Sequence, residues 1–377
     1  MKKFVLIPDS FKGTMSSSEI CDIMENQIKK YFPDAKIVSI PVADGGEGSV
    51  DSFLASTGGN KVIVTVKSPY MEDMSAFYGI LNDGTAIIEM AACAGLPLVE
   101  NNKHPDRTTT YGVGQLIVHA AVCGCKKIIV GLGGSSTNDA GTGAAVAVGV
   151  KFYDKSGKNF LPIGATLASI KKIDISGLCS ELKDVEIISM CDIDNPFYGP
   201  TGAAQVFGPQ KGANKEMVEL LDDGLKRLSE TINDQLHIDV SQIPGSGAAG
   251  GMGGGMVAFF GARLQKGIET VLDAVDFDSI AKDADMVFSG EGKIDSQSLR
   301  GKVVIGVACH THKIGVPLIA IVGDIGDNIQ SVYERGVSGV FSINRVAVDF
   351  EQARERCKSD LALTMDNLMR FMSSMKF

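Results

Sequence analysis

KKIIVGLGGSSTNDAG, residues Lys126 to Gly141, decides how the chain is read. Its first half is a short apolar run rich in β-branched residues. Its second half is a loop of glycines and hydroxyls that leads into an Ala/Val-rich stretch of helical character. Strand, glycine loop and helix in that order form the repeating unit of a parallel α/β sheet. Amides and hydroxyls in such a loop, at the positive end of the next helix, are suited to cradle a phosphate. Gly133, Gly134, Ser135, Ser136, Thr137 and Asn138 are therefore phosphate-binding candidates. The loop is not a Walker A motif, because no GK[ST] occurs in the chain, and the HRD and DFG signatures of protein kinases are also missing.

The same rhythm extends in both directions. Phe4 to Ile7 is a β-rich run followed by the loop Asp9 to Gly13, and Ser16 with Glu19 three residues on marks a helix start that runs to Tyr31. Lys36 to Val42 is the next strand, ending in Ala43-Asp44-Gly45-Gly46-Glu47-Gly48. Between residues 61 and 90 three short strands with tight turns break the rhythm and read as antiparallel. Val185 to Met190 is a strand ending at Cys191-Asp192-Ile193-Asp194. Glu216 to Asn233 is an amphipathic helix. Met286 to Ser289 is a strand that leads into the loop Gly290-Glu291-Gly292-Lys293-Ile294-Asp295.

Carboxylates recur where strands end, and in open α/β sheets ligands bind at the carboxyl ends of strands. One such residue is ordinarily a cap or a turn residue. Asp9, Asp44, Asn138, Asp139, Asp192, Glu291, Asp295 and Asp324 together are harder to read that way. Asp44 and Glu47 share a loop with Gly45 and Gly46, a pattern that suits an anion held by amides and a Mg²⁺ held by one or two carboxylates. Asp192 and Asp194 lie two apart on an extended segment and so face one side, which fits metal binding or a base for a hydroxyl proton. Lys12, Lys211 and Lys293 stand in glycine-containing polar loops and can hold an anion as point charges. Gly245 to Gly250 matches GxGxxG formally, but Pro244 precedes it and no compact βαβ unit surrounds it, so a helix-start loop or a packing feature is the better reading.

Composition narrows the class. The chain has 377 residues, 44% hydrophobic and 21% charged, which points to a folded globular protein of about two domains. A net charge of −9 without a basic stripe excludes a nucleic-acid binder. The eight cysteines show no CxxC and no zinc spacing and read as free thiols. MKKFVLIP is too short for a signal core, and no apolar run approaches the ~18 residues of a membrane span, so a cytoplasmic protein is expected.

Eight motifs, in order along nearly the whole chain, resemble the bacterial glycerate kinase family. They are PDSFKG (Pro8 to Gly13), PVADGGEG (Pro41 to Gly48), TTTYGVG (Thr108 to Gly114), GLGGSSTND (Gly131 to Asp139), CDIDNP (Cys191 to Pro196), FGPQKGA (Phe207 to Ala213), PGSGAAGG (Pro244 to Gly251) and SGEGKID (Ser289 to Asp295). Ser136 and Ala140 stand where Ala and Gly are more usual, and Lys293 where Arg is.

The resemblance implies transfer of the ATP γ-phosphate to D-glycerate with Mg²⁺, giving 2-phosphoglycerate rather than 3-phosphoglycerate. A kinase for a related small hydroxy acid is the alternative. The catalytic candidates are Asp192, Asp44, Asp295 and Lys12, with Asp192 the first choice of base. Asp9, Ser10, Gly45, Gly46, Lys211, Gly290, Glu291, Gly292 and Lys293 join the Gly133 to Asn138 loop as substrate- and phosphate-binding candidates, and Asp192, Asp194 and Glu47 are the metal candidates. The implied fold is α/β with two domains: a Rossmann-like parallel domain (1–60, 103–150 and 283–377) and an inserted mixed α/β domain (61–102 and 151–282), the active site in the cleft between them. A monomer or homodimer is expected, with neither nucleic acid nor membrane as a partner.

Overall fold

The apolar runs pair edge to edge as strands, and the polar glycine stretches fall at their ends. The computed structural model describes residues 1–42, 45–295 and 302–375. Asp44, a catalytic candidate, lies outside the described residues. In chain order the strands are β1 (Lys3–Pro8), β2 (Lys36–Ser39), β3 (Gly59–Lys67), β4 (Asp73–Leu81), β5 (Ala86–Glu89), β6 (Lys127–Gly131) and β7 (Lys151–Tyr153). They continue with β8 (Asn159–Phe160), β9 (Lys172–Asp174), β10 (Glu186–Met190), β11 (Arg263–Gln265), β12 (Met286–Ile294), β13 (Leu318–Ile325) and β14 (Val337–Ser342). The helices are α1 (Ser17–Tyr31), α2 (Ser49–Thr57), α3 (Ala91–Ala94), α4 (Tyr111–Val122), α5 (Thr142–Ala147), α6 (Ala203–Phe207), α7 (Lys215–Leu236), α8 (Ala248–Phe260), α9 (Gly267–Ala274), α10 (Phe277–Ala281), α11 (Val303–Ile314), α12 (Gln330–Glu334) and α13 (Phe350–Ser374).

Two compact units result. The first comprises Met1–Ala43, Ala55–Thr57 and Ile268–Phe377, the second Asp44–Leu54 and Gly58–Gly267. In the first, five parallel strands run in the order β14-β13-β12-β1-β2. Counted within the unit this is 2-1-3-4-5, a doubly wound order. Phe4, Leu6 and Phe288 pack with Ile20 and Met24 of α1 and Leu361 and Met365 of α13. Val5 and Ile7 point the other way and are also fully buried, so helices cover both faces, as all-parallel sheets require. The expected capping box forms at α1: Ser16 Oγ accepts from Glu19 N at 3.2 Å and Glu19 Oε2 accepts from Ser16 N at 2.9 Å.

The second unit is built on a mixed six-stranded sheet, order β11-β10-β6-β5-β4-β3. β5, β6, β10 and β11 are parallel, and β3 and β4 add an antiparallel edge. A small sheet, β8-β7-β9, lies beside a second core formed with α7. The position of β6 differs from the expectation. It pairs with β5 and β10, so residues 103–150 join the sheet of the second unit rather than that of the first, where the strand–loop–helix rhythm places them. Rhythm gives the kind of sheet but not which sheet, because pairing partners are chosen by tertiary packing. A second difference lies at Gly290 to Ile294, expected as a loop and found inside β12, because β13 runs alongside and pairs Glu291 with Val322 and Lys293 with Asp324.

Within the second unit one contact ties the strand ends together. A Cβ added to Gly131, the last residue of β6, would lie 2.3 Å from the carbonyl oxygen of Gly45, and one on Gly133 would lie 2.6 Å from the Gly46 Cα. Gly131→Ala is therefore expected to lower Tm by roughly 5 °C or more. Gly292→Ala serves as the control, because its Cβ meets its nearest neighbours at 3.7 Å and should shift Tm by less than about 2 °C. Equal small shifts in thermal unfolding would show that the Gly45–Gly131 approach is not a constraint.

Candidate functional site

In the second unit β5, β6 and β10 end side by side: Gly131 is opposite both Glu89 and Met190. Two glycine-rich segments meet there. Gly133 N donates to Gly45 O at 3.1 Å, and Gly45, at φ +78°, rests against the Met190 side chain. The loop after β6 is fixed along its length. Leu132 N donates to Met190 O, Leu96 N to Gly134 O, and Ser136 N and Oγ both to Ala94 O. Thr108 Oγ1 donates to Ser136 O at 3.1 Å. The hydroxyl of Ser136 is thus engaged by the protein itself. Ala140 sits at φ +54°, the left-handed region in which Gly would carry no steric penalty.

Asp139 is the centre of this loop. It is fully buried and accepts hydrogen bonds from Thr110 N at 2.8 Å, Thr110 Oγ1 at 2.9 Å, Thr109 Oγ1 at 3.3 Å, and the Gly141 and Gly143 amides at 3.2 Å each. Burial raises its pKa above the usual carboxylate range, and the Thr110, Gly141 and Gly143 hydrogen bonds pull it back down. Lys211, on a short turn after α6, is 2% exposed. Its Nζ donates to Ser135 Oγ and to Thr137 O, both at 2.7 Å. These are neutral acceptors. Burial pushes the ammonium down to about 7, while the charge of Asp139 acts to raise it. Among the described residues, Thr137 Oγ1, both amide atoms of Asn138 and Ser246 Oγ are buried without a hydrogen-bond partner. Such atoms are rare in folded proteins and mark places where function is a reason to ask for one.

The strand end of β10 holds Asp192, whose Oδ1 accepts from Gly267 N at 2.8 Å, where α9 begins. Asp192, Asp194 and Glu47 are exposed. No group of three or more His, Cys, Asp or Glu side chains among the described residues is placed to hold a metal ion, so these three do not form a closed cage. The formal GxGxxG run is a packing device. Cβ atoms on Gly247 and Gly250 would lie 2.2 Å from Pro196 O and 2.1 Å from Thr137 O, and Ala249 to Gly251 form a left-handed turn at the start of α8. This turn lies directly against the Thr137–Asn138 backbone.

In the first unit the strand order reverses between β1 and β12, which is where ligands bind in doubly wound sheets. Asp9 N donates to Gly290 O at 2.8 Å, and Asp9 Oδ1 accepts from Ser10 N at 2.7 Å. Lys12 is exposed, Glu291 is 4% exposed, and Lys293 Nζ stands 3.7 Å from Asp324 Oδ2. Gly290 allows β12 to approach β13, since its Cβ would lie 2.3 Å from Ile321 O. Asp295 packs against Gly326. The unit thus gathers Asp9, Ser10, Lys12 and Gly290 to Lys293 at one switch point.

Two residues escape the sequence reading in different ways. Asp139 is visible there only as one more strand-end carboxylate, because its partners Thr109 and Thr110 lie 30 and 29 positions away. Glu89 ends an apolar strand and gives no local signal, yet it is 2% exposed and accepts from Val50 N at 2.6 Å.

Known proteins agree with this architecture. The profile described as the Glycerate kinase family matches residues 4–373. The glycerate 2-kinase of Escherichia coli K12 is 46% identical over 343 residues, covering 90% of either chain. A glycerate kinase of Bacillus cereus is 43% identical over 368 residues, covering 97% of either chain. The crystal structure of a protein described as glycerate kinase 2 from Salmonella typhimurium LT2 matches with a TM-score of 0.86 at 40% identity over 98% of both chains. With a family profile and these relatives matched almost end to end, the chain belongs to the glycerate kinase family.

Proposed function

We propose that the chain transfers the γ-phosphate of ATP to the 2-hydroxyl of D-glycerate, giving 2-phosphoglycerate and ADP. The observation that supports this most directly is the loop Gly131 to Asp139 at the ends of parallel strands, with the buried ammonium of Lys211 held against it. Phosphoryl transfer asks a protein for positioning and charge neutralisation rather than covalent chemistry. The buried Lys211 amine and the fixed amides of the loop supply both with little reorganisation as charge develops.

In this reading Gly133 to Asn138 and Lys211 hold phosphate oxygens. Asp9, Ser10, Lys12 and the Gly290 to Lys293 segment supply further polar contacts. Asp192 is the base that takes the proton of the attacking hydroxyl, and its hydrogen bond from Gly267 N fixes the carboxylate. Mg²⁺ keeps several waters and is ordinarily held by one or two carboxylates together with the phosphates. Asp192, Asp194 and Glu47 are the carboxylates that fit, and the ion would neutralise phosphate charge. Asp44 and Asp295 remain rivals for the proton.

Purified protein with ATP, Mg²⁺ and D-glycerate should release ADP in a glycerate-dependent way, with NMR placing the phosphate on the 2-hydroxyl. Phosphate on the 3-hydroxyl would overturn the regiochemistry, and no glycerate-dependent ADP release would overturn the reading. Asp192→Asn keeps an acceptor for Gly267 N and should cut kcat about 100-fold or more with Tm nearly unchanged. Near-normal turnover would remove Asp192 from the role.

Lys211→Met tests whether the buried charge serves function rather than folding. The change removes the cost of burying an ammonium together with two hydrogen bonds to neutral acceptors, so Tm should shift by less than about 5 °C while kcat/KM falls by about 100-fold. The sign of the pH effect follows from the lowered pKa. Between about 7 in the folded state and 10.5 in the unfolded state, the unfolded chain binds the extra proton, so stability rises with pH across that window. Chemical denaturation at pH 7 to 10 should show this rise in the wild type and a smaller one in Lys211→Met. Parallel curves for the two proteins would refute a depressed Lys211.

A further inference from the structure

Helix α2 has no side-chain cap of its own. Its N-cap residue is Gly48, at φ +89°, a left-handed conformation that the usual capping residues do not adopt in their capping geometry. The acceptor for its first turn comes from another strand. Glu89, the last residue of β5, sends its carboxylate to the start of α2 and accepts the Val50 N–H at 2.6 Å, and the Gly48 amide also stabilises the charged form. The other charges acting on this carboxylate are Asp51 and Lys61, of opposite sign and ion-paired with each other at 2.6 Å. Burying a carboxylate is costly unless it is well hydrogen-bonded. A local Ser or Asp cap would avoid that cost, but the left-handed turn at 48 leaves no conformation for one.

We infer that Glu89 is a positioning residue for phosphoryl transfer, fixing the Gly45 to Gly48 loop onto the ends of the parallel strands. The Gly45 end of the loop is held by the Gly133 amide and by the contacts with Gly131 and Met190. The Gly48 end is held by Glu89. Together they set where Gly45, Gly46 and Glu47 stand relative to the Gly131 to Asp139 loop. The inference rests on the kinase reading above, because the loop's purpose comes from it.

Two variants test it: Glu89→Gln, which keeps an acceptor for the Val50 amide, and Glu89→Ala, which does not. The readouts are amide hydrogen exchange over residues 45–52, and kcat and KM for ATP and D-glycerate. Glu89→Ala should speed exchange there about fivefold, as loss of a cap does, and lower kcat about tenfold or more, by a larger factor than either KM rises. Glu89→Gln, a neutral and weaker acceptor, should fall between the wild type and Glu89→Ala in both exchange and kcat. Glu89→Gln keeps the shape of the side chain and covers the case in which Glu89→Ala does not fold. Wild-type kcat in Glu89→Gln and Glu89→Ala would overturn the inference, as would lost kcat with unchanged exchange. A wild-type protein without glycerate-dependent ADP release would sink the kinase reading, while the exchange data would still judge the anchoring of the loop.

Discussion

Where Gly45 and Gly46 lie against Gly131 and Gly133, main chain touches main chain with no room for a side chain. The rest of the second unit's strand-end architecture follows from that approach. Strand β6 can end flush with its neighbours β5 and β10 only because a loop from elsewhere in the unit fits into the space a Cβ would take. The Gly133 amide then finds its acceptor at Gly45 O instead of remaining an orphan, and buried amides must find one. Glycine serves here through the absence of a side chain, and at Gly45 and Gly48 through access to positive φ.

Around this contact the unit buries charges of both signs. Asp139 collects amide and hydroxyl donors from the start of α4 and from its own loop. Lys211 hangs from a hydroxyl and a carbonyl of the same loop. Neither arrangement is the cheapest way to build a core, since burial works against both charges. Groups fixed in this way are oriented by the fold before anything binds. Thr137 and Asn138, whose side-chain polar atoms have no hydrogen-bond partner among the described residues, lie where the Gly250 turn meets this loop.

The first unit solves a different problem with similar means. Its five parallel strands reverse order between β1 and β12, and polar residues gather where the two helical layers part. Asp9 turns back on Ser10, and its amide reaches Gly290 O, so the first loop of the chain is tied to a residue 281 positions later in the sequence. The polar segment Gly290 to Lys293 is held straight by β13, so its alternating side chains are placed by a pleat rather than by a loop.

Much of this was legible in the residues. Strand and helix positions followed from hydrophobic period, and the capping box at Ser16 and Glu19 formed as its spacing demands. The glycine loops could be found because glycine and short polar residues have few other uses in such runs, and Lys211 could be picked out by its loop. Eight ordered motifs carried the family. What the sequence could not determine was partnership. Local period does not say that β6 joins β5 and β10, that Gly290 to Ile294 runs on as a strand beside β13, or that GxGxxG packs against Thr137 instead of a dinucleotide. Nor does it say that Glu89 caps a helix begun about 40 residues earlier. Those outcomes depend on which surfaces exclude water together and which buried donors meet which acceptors, and they exist only once distant segments have been brought into contact.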